Sequence, residues 1–446
     1  MRVLLVNPPR SPHNAILDHA PPEAQRFIHR KLIGPPLGLL TVAAALKGHE
    51  VTLLEMKGEY DLDPAAPPPE QLLRRWMDRC RPQVVGVTFI ASEYPAGMEL
   101  LLAARQFDPA VVTVAGGLHA TLCPGDFAAP VVDVVCPGQS ARTFAQLVAA
   151  LEHGRPVERV PGLYVNGPHG LRWSGDSTTL FDPAGDGFMV PERSLLRPWL
   201  STYRVGSSPG PVTYLYTSLG CPQRCTFCSI WPGFNGRFFQ RSVESIVSEL
   251  AALAEYPVVR FADANTVVDT AFIGRLLDAI EAAGIRKEYV MDMRADTAAA
   301  NPRLVERLAR AGLKVVICGF ESTRDEELSR YHKAASAAAI DEAIAVFDAN
   351  GIAVRGNYVI SPDYDEADFA ALAAYAGRYP VTYAGYTILT PMPGTQLHQE
   401  KRSQIVDGDL AKYNFFNCVL ATKLPLEQFY EHVGRLWMIK KGLEVI

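Results

Sequence analysis

The chain has 446 residues, 48% of them hydrophobic, and its 43 basic side chains nearly balance its 48 acidic ones. A chain of more than about 300 residues usually divides into two or more domains. The balance of charge argues against a broad phosphate-binding surface, so nucleic acid is not expected as the main partner. No apolar run reaches the roughly 18 residues of a transmembrane helix, and the apolar part of MRVLLVNPPR is too short for a secretory signal, so we expect a cytoplasmic protein with no membrane span.

Residues 1–153 alternate strand and helix signals. Short apolar runs such as RVLLVN, VVGVTFIA and VVTVAGG are separated by segments with helical spacing such as EQLLRRWMDRC. Strands that are buried on both faces and joined by helices predict an α/β domain with a doubly wound parallel sheet, of the Rossmann or flavodoxin-like kind. A ligand of such a sheet lies beyond the carboxyl ends of the strands, where the strand order reverses.

The amino-acid composition changes after this domain. Residues 154–210 are rich in Gly, Pro and Asp, and the pieces GLYVN and LRWS around GPHG predict a linker with a hairpin. Six further cycles of strand and helix over residues 211–397 predict a partial (β/α)6 barrel, whose chemistry would lie at the carboxyl face of its strands. Residues 398–446 carry aromatic and amphipathic segments without a motif, and we treat them as a C-terminal extension.

The first loop of the predicted barrel, TSLGCPQRCTFCSIW, holds Cys221, Cys225 and Cys228, whereas the other five cysteines are scattered and do not suggest a disulfide framework. An iron-sulfur cubane is normally held by four thiolates, so three leave one iron with an open position. A structural zinc site needs four closed ligands, and no histidine follows within about a hundred residues of Cys228. A catalytic zinc would need an acid or base beside it, and the spacing is unusual for zinc. The triplet therefore favours a [4Fe-4S] cluster over zinc, and over three buried structural thiols.

The segment CPQRCTFC matches the CxxxCxxC signature of the radical S-adenosylmethionine (SAM) enzymes, including the aromatic Phe227 before the third cysteine. With the doubly wound domain in front, the chain resembles the cobalamin-binding subgroup of that superfamily. The resemblance extends to GPPLGLLTVAAAL and GGLHATLCP in the first domain and to GFESTRDEEL, YHK and TPMPGTQL in the second. It implies an enzyme with a [4Fe-4S] cluster, SAM and cobalamin as cofactors. It also implies an external one-electron reductant of the flavodoxin or ferredoxin type, and a small-molecule substrate.

The resemblance also implies positions for SAM, which would chelate the open iron through its amino and carboxylate groups. Asp263 and Asn265 would lie near the methionine moiety, and Arg294 would pair with the carboxylate in a bidentate manner. Glu321 and Ser322 would hold the ribose hydroxyls, and Pro391 would close the adenine side. The alternative for each is strand-end capping or a surface ion pair. The residues predicted to bind SAM are Phe227, Asp263, Asn265, Arg294, Glu321, Ser322 and Pro391.

For cobalamin, the resemblance points to the carboxyl ends of the strands in the first domain. The D-x-H-x-x-G motif that supplies a histidine to cobalt in some such domains is missing, so we expect base-off cobalamin without histidine coordination. Gly116 and Gly117 would let the backbone approach the cofactor closely, and Gln139 stands where relatives commonly have an acidic residue. An alternative is that the domain keeps the fold and has lost the cofactor. The residues predicted to bind cobalamin are Asn7, Pro8, Pro9, Thr88, Ile90, Ala91, Ser92, Glu93, Gly116, Gly117, His119, Ala120, Gly138 and Gln139.

The combination of cofactors predicts C-methylation of an unactivated carbon. One SAM would methylate Co(I), and a second would yield a 5′-deoxyadenosyl radical that removes hydrogen from the substrate. The alternatives are radical cyclisation or rearrangement without methyl transfer, and a non-catalytic corrinoid or electron-transfer protein. A methylthiotransferase is less well supported because Cys80, Cys123 and Cys136 are too dispersed to bind a second cluster. The sequence identifies neither the substrate nor a catalytic residue beyond the cluster ligands.

Overall fold

The computed structural model describes residues 1–28, 34–175, 188–204, 210–378 and 383–439. The strands in these ranges are β1 (Arg2–Asn7), β2 (Glu50–Glu55), β3 (Val84–Thr88), β4 (Val112–Gly116), β5 (Val134–Cys136), β6 (Tyr164–Gly167), β7 (Gly170–Trp173), β8 (Val212–Leu215), β9 (Ser218–Gly220), β10 (Phe238–Gln240), β11 (Val258–Phe261), β12 (Glu288–Asp292), β13 (Leu313–Glu321), β14 (Ala353–Ile360) and β15 (Tyr383–Ile388).

The α-helices are α1 (Ala15–His19), α2 (Pro22–Gln25), α3 (Leu37–Ala45), α4 (Met56–Leu62), α5 (Pro69–Cys80), α6 (Tyr94–Phe107), α7 (Gly117–Leu122), α8 (Ala141–Glu152), α9 (Ile230–Gly233), α10 (Val243–Ala252), α11 (Thr270–Ala282), α12 (Ala295–Ala300), α13 (Pro302–Ala311), α14 (Asp325–Arg330), α15 (Ala337–Ala349), α16 (Glu366–Arg378), α17 (Gln396–Lys401) and α18 (Leu426–Leu436). Short 3-10 helices cover Ala91–Glu93, Pro124–Phe127, Val157–Arg159, Arg193–Thr202, Arg402–Gln404 and Leu410–Lys412. Within the described ranges, no helix is long and apolar enough to cross a bilayer.

The chain forms two compact units, and their boundaries differ from the predicted domains. The first unit comprises residues 1–12 and 35–202, and the second comprises residues 13–34 and 203–446. Residues 13–34 belong to the second unit because α1 and its flanks bond to the C-terminal region: the amide of Ile16 donates to Phe416 O at 3.2 Å, and the His19 ring stacks on Tyr430.

The first unit is built on a seven-stranded sheet in the order β2-β1-β3-β4-β5-β6-β7. The strands from β2 to β5 run parallel, and the order 2-1-3-4-5 is that of flavodoxin-like folds, so the predicted fold class is confirmed. Alternate strand residues serve the two faces. Leu4 and Val85 pack in the core formed with α5 and α6, whereas Leu5 and Gly86 face Phe144 of α8. The order reverses between β1 and β3, which places the expected ligand edge at the ends of these strands.

The region predicted as a linker contains the predicted hairpin. Strand β6 pairs antiparallel with β7 and with β5, so the hairpin extends the first sheet. The 3-10 helix Arg193–Thr202 also belongs to the first unit, where the Trp199 indole nitrogen donates to Glu59 at 2.9 Å. Much of the predicted linker therefore lies within the first unit.

The second unit contains the predicted partial barrel. Its six strands run parallel in the order β15-β14-β13-β12-β11-β8, as expected from the six sequence cycles. An apolar floor is formed by strand residues that share the inner face: Val212, Val258, Val290, Val315 and Ile317. Two residues further along the same strands, towards their carboxyl ends, Arg260 of β11 forms an ion pair with Asp292 of β12 at 2.9 Å. At the carboxyl face of this sheet, the ion pair of Arg260 and Asp292 therefore forms a charged layer, and the apolar floor lies beneath it.

Candidate functional site

The cysteine loop follows β8 and the short strand β9, which pairs with β10. The turn into the loop requires a glycine, because Gly220 has φ +78° and a Cβ there would lie 2.1 Å from the carbonyl oxygen of Arg237. Beyond it, Cys221 and Cys225 are buried and Cys228 is half-buried, and all three are free thiols. The local fold therefore places three thiols on one loop at the carboxyl end of β8.

Neighbouring segments hold this loop through its backbone. The amide of Thr226 donates to Tyr331 O at 3.1 Å, and the amide of Leu397 donates to Thr226 O at 2.9 Å. The Trp231 indole nitrogen donates to Cys225 O at 2.9 Å. These bonds hold the middle of the loop and its exit, so the protein itself restrains the thiol-bearing segment.

Phe227 is directed into an apolar cluster of the second unit. Its ring meets the Tyr331 ring edge-on, with centroids 5.6 Å apart, and it packs beside Leu389 and Leu397. The packing explains why an aromatic residue suits this position: it anchors the loop between the second and third cysteines. A contact with SAM stays a prediction for this residue.

The electrostatics of the loop favour a positively charged occupant. The pKa of Cys228 is raised to about 11, chiefly by burial, and the neighbouring Cys225 and Cys221 contribute to the rise. Burial also raises the pKa of Cys225. Thiols in this state remain protonated near neutral pH, and binding of metal would be coupled to release of their protons.

Asp263, just after the end of β11, forms hydrogen bonds to the residues that precede the cysteine loop. Its carboxylate accepts hydrogen bonds from the Thr217 amide (2.8 Å), the Thr217 hydroxyl (2.7 Å) and the Ser218 amide (2.7 Å). Burial raises its pKa to about 6, although these bonds oppose the rise. Asp263 therefore fixes the chain that leads to Cys221, and contact with SAM stays a prediction.

Other polar atoms near this strand end lack partners. The Oδ1 atom of Asn265 and the hydroxyl of Thr266 are buried without a hydrogen-bond partner among the described residues. An unsatisfied buried polar group costs roughly 1–3 kcal/mol. A ligand with several donors would satisfy these atoms, so Asn265 is the best supported of the predicted SAM contacts.

Arg294 lies where predicted, at the end of β12, but its guanidinium is already engaged. Its Nε and Nη2 donate to the Asp296 carboxylate at 2.9 and 2.7 Å. Nη2 also donates to Lys333 O at 2.7 Å and to Ala334 O at 2.9 Å. This arrangement supports a role in holding residues 333 and 334 and gives no support to the predicted pairing with the SAM carboxylate.

Glu321 ends β13 in a left-handed conformation, with φ +61°. Its Oε1 accepts from the ammonium of Lys333 at 2.8 Å, and both side chains are largely buried. Sequence reasoning did not assign Lys333, although it lies in the quoted YHK segment. The buried pair lies close enough to the cysteine loop that both charges act on the pKa of Cys225.

Ser322 and Pro391 have local structural roles. The Ser322 hydroxyl donates to Glu327 at 2.5 Å and accepts from the Arg324 amide at 3.1 Å, so it organises the start of α14. Pro391 is buried and precedes the turn in which the Thr395 hydroxyl accepts from His398 N and caps α17. Their contacts with the ribose and adenine stay predictions.

At the carboxyl edge of the first unit, several predicted ligand residues bond to each other or to neighbours. Asn7 donates through Nδ2 to Glu55 at 2.6 Å, and Glu93 pairs with Lys57 at 2.5 Å. Burial raises the pKa of Glu55 to about 7. Among the predicted residues, Ile90 instead exposes an apolar side chain that is 45% accessible.

The double glycine after β4 serves two different purposes. Gly117 has φ +91°, and a Cβ there would lie 2.6 Å from the Thr88 hydroxyl and 2.7 Å from the backbone of Phe89. It therefore lets α7 pack closely against the end of β3, and its close approach to cobalamin stays a prediction. Gly116 meets only Cys136 O, at 3.6 Å, and leaves space above the strand.

His119 is directed inward and away from this open edge. Its side chain is buried beneath the rings of Tyr94 and Phe127, and Nε2 lies 3.0 Å from the Asp126 carboxylate. Burial lowers the pKa of the imidazole, while Asp126 opposes the change. In this structure His119 supports the packing of α7, and a role in binding cobalamin stays a prediction.

Comparison with known proteins identifies both units. Residues 215–376 match the radical SAM superfamily, and residues 26–148 match the B12 binding domain. The chain is 26% identical to the hopanoid C-3 methylase of Methylococcus capsulatus, across 89% of this chain and 74% of that protein. It is also 26% identical to the anaerobic magnesium-protoporphyrin IX monomethyl ester cyclase of Synechocystis sp., across 95% of this chain and 82% of that protein. The chain belongs to the cobalamin-dependent radical SAM enzymes.

Solved structures of this family share the fold. The radical SAM methyltransferase TsrM from Kitasatospora setae, with cobalamin and a [4Fe-4S] cluster bound, has a TM-score of 0.70 at 18% identity, with 99% of this chain and 91% of that chain covered. The cobalamin-dependent SAM radical enzyme OxsB has a TM-score of 0.70 at 15% identity, with 97% and 65% covered. The two domain matches confirm the resemblance inferred from the cysteine signature, and the solved structures show that the fold is shared.

A cobalamin-dependent radical SAM enzyme uses a [4Fe-4S] cluster, SAM and cobalamin, and residues of both units fit these groups. The three free thiols on one loop suit a cluster with an open iron. The unpartnered Asn265 Oδ1 and Thr266 hydroxyl suit a polar ligand beside it. In the first unit, exposed Ile90 and the space over Gly116 suit a broad, partly apolar cofactor. An enzyme of this kind also requires an external reductant and a small-molecule substrate.

Proposed function

We propose that this enzyme transfers a methyl group, supplied by cobalamin, to an unactivated carbon of a small molecule. The observation that carries the proposal is the presence, in one chain, of a B12-binding sheet and a three-thiol loop on a radical SAM sheet. The relative in Methylococcus capsulatus is named as a carbon methylase, which supports transfer to carbon.

When bound, the cluster and SAM supply the radical that takes a hydrogen atom from the substrate carbon, and cobalamin supplies the methyl group. The chain's own residues provide position and exclusion of water. The backbone bonds from Tyr331 and Leu397 fix the middle of the cysteine loop. Asp263 fixes its start. The burial of Cys221 and Cys225 keeps solvent from the ligand sulfurs.

The inner layer of the second unit would close the base of the reaction space. Arg260 donates to Asp292 at 2.9 Å and to the Tyr214 hydroxyl at 3.3 Å. The side chains of Arg260 and Asp292 remain about a quarter exposed, at 24% and 23%. This layer offers hydrogen bonds to a polar end of the substrate, while the apolar floor beneath it excludes water.

We further propose that a flavodoxin or ferredoxin type of protein supplies the electron. Apart from the triplet, the cysteines of the chain stand singly as free thiols: Cys80, Cys123, Cys136, Cys318 and Cys418. They cannot form a second cluster that would store electrons, because a cluster requires several thiolates together.

The test is an anoxic turnover assay with SAM that carries a CD3 group. The full chain is reconstituted with iron, sulfide and hydroxocobalamin and incubated with a one-electron reductant and metabolite fractions. We expect 5′-deoxyadenosine together with a product that gains one CD3 group. Cys225→Ala should abolish both, whereas Cys318→Ala, which removes a buried cysteine outside the loop, should retain them. Failure of the reconstituted wild type to form 5′-deoxyadenosine would instead favour a corrinoid carrier.

A second candidate is radical cyclisation or rearrangement without methyl transfer. The similarity to a magnesium-protoporphyrin cyclase over most of the chain favours it. The same assay separates the two candidates, because a cyclase would form 5′-deoxyadenosine and a changed product that carries no CD3 group.

A further inference from the structure

The segment between α14 and α15 touches the cysteine loop directly. Tyr331 O accepts from the amide of Thr226 at 3.1 Å, and His332 O lies 3.9 Å from the sulfur of Cys225. The next residue is Lys333, which is only 8% exposed. A buried ammonium therefore sits beside the loop that would hold the cluster.

Lys333 is held in place by an ion pair that requires a tailored site. Its Nζ lies 2.8 Å from Oε1 of Glu321. At Gly319 a Cβ would lie 2.3 Å from that oxygen and 2.9 Å from Nζ, so only glycine leaves room for the pair. The ion pair therefore occupies the space that is left by the absence of a side chain at Gly319, near the end of β13.

The backbone around the pair is strained and clamped. Glu321, His332 and Ala334 all have left-handed φ values, of +61°, +54° and +49°. Such conformations in residues other than glycine persist only when their surroundings enforce them, and they cluster at functional sites. Arg294 provides the restraint through hydrogen bonds to Lys333 O and Ala334 O.

We infer that Lys333 is a positioning residue that sets the reduction potential of the cluster, with Glu321 as its counter-charge and Arg294 as its clamp. The inference rests on the cluster assigned in the proposed function. A fixed positive charge stabilises the reduced cluster, which carries the extra electron, and therefore raises its potential. Lys333 directly follows His332, whose carbonyl oxygen lies 3.9 Å from the Cys225 sulfur, and this contact places the lysine beside the cluster loop.

The experiment is a redox titration of the reconstituted full chain, without SAM, followed by electron paramagnetic resonance. Lys333→Gln should lower the midpoint potential by about 59 mV. For a one-electron couple, this shift means that the ratio of reduced to oxidised cluster at the wild-type midpoint falls about tenfold. Glu321→Gln should shift the potential upward, because the negative cluster keeps the Lys333 ammonium protonated.

A matched control is Lys314→Gln. It removes a positive charge from an exposed position on β13, the strand that ends at Glu321, and should leave the reduction potential unchanged. Glu321→Gln tests the idea independently if Lys333→Gln does not fold. Shifts of the same sign in the two variants, or no shift with full iron content, would overturn the inference and leave the proposed function intact. Absence of any cluster in the reconstituted wild type would overturn both.

Discussion

Replacing Gly220 by alanine should disable the cysteine loop without touching a thiol. The left-handed φ of +78° costs an alanine roughly 1–2 kcal/mol. In addition, the new Cβ would lie 2.1 Å from Arg237 O, so the Arg237 carbonyl must move away. That movement would disturb the pairing of Gly220 with Phe238 between β9 and β10. Loss of one or two backbone hydrogen bonds adds roughly 1–3 kcal/mol, for a total of about 2–5 kcal/mol.

The assay measures iron and sulfide per chain after anoxic reconstitution, together with thermal unfolding of the cofactor-free protein. We expect Gly220→Ala to bind much less iron than the wild type and to unfold at a lower temperature. The matched control is Gly284→Ala, which has a similar left-handed φ of +65° but no atom within 4 Å of the new Cβ. The control should show only the conformational cost and full iron content. Equal iron content in Gly220→Ala and the wild type would refute the claim that this glycine shapes the loop.

Three further changes test other parts of the sites. Burial raises the pKa of Glu55 from 4.5 to about 7, so a stabilising contribution of roughly 3 kcal/mol that is present at low pH is lost as the pH rises through that range. Glu55→Gln should weaken this pH dependence in the amide exchange of β1, and an unchanged dependence would contradict the assignment. Asn265→Leu should weaken SAM binding about tenfold in equilibrium dialysis, because Oδ1 has no partner among the described residues and is free for the ligand. The ligand-free chain loses only the 3.4 Å bond from Asn265 Nδ2 to Val267 O; equal affinity would exclude the contact. Ile90→Glu should reduce the cobalamin retained after desalting, measured by absorbance, whereas Leu102→Glu, an exposed change on α6, should not; equal retention would remove Ile90 from the site.

The fold could be predicted from the sequence because its signals are local. Val-rich strands such as β3 are buried along almost their whole length, and this pattern is visible as an apolar run. The cysteine triplet is equally local, since Cys221, Cys225 and Cys228 share one loop. Residues 13–34 could not be assigned in the same way, because a short helix such as α1 carries no signal for the distant segment that it packs against.

The roles of individual polar residues were harder to predict. A sequence places Arg294 at a strand end but does not show that Asp296 and the carbonyls of the 333–334 segment engage its guanidinium. Likewise, the left-handed φ of Glu321 and its pairing with Lys333 depend on the space above Gly319. These are tertiary contacts among the ends of two strands, β12 and β13, and the segment between α14 and α15, and neither periodicity nor motif spacing encodes them.

The path of the chain between its two units limits how the protein can be dissected. Strand β1 lies between β2 and β3 in the first sheet. Along the chain, however, residues 13–34 separate β1 from the rest of the first unit, and these residues belong to the second unit. A truncated chain that begins at Pro35 would lack an interior strand of its sheet. One that begins at Tyr203 would lack α1 and α2. Exchange of the corrin-binding part between relatives therefore requires several junctions, and a chimaera with a single crossover after residue 202 would combine α1 and α2 of one parent with the rest of the second unit of the other.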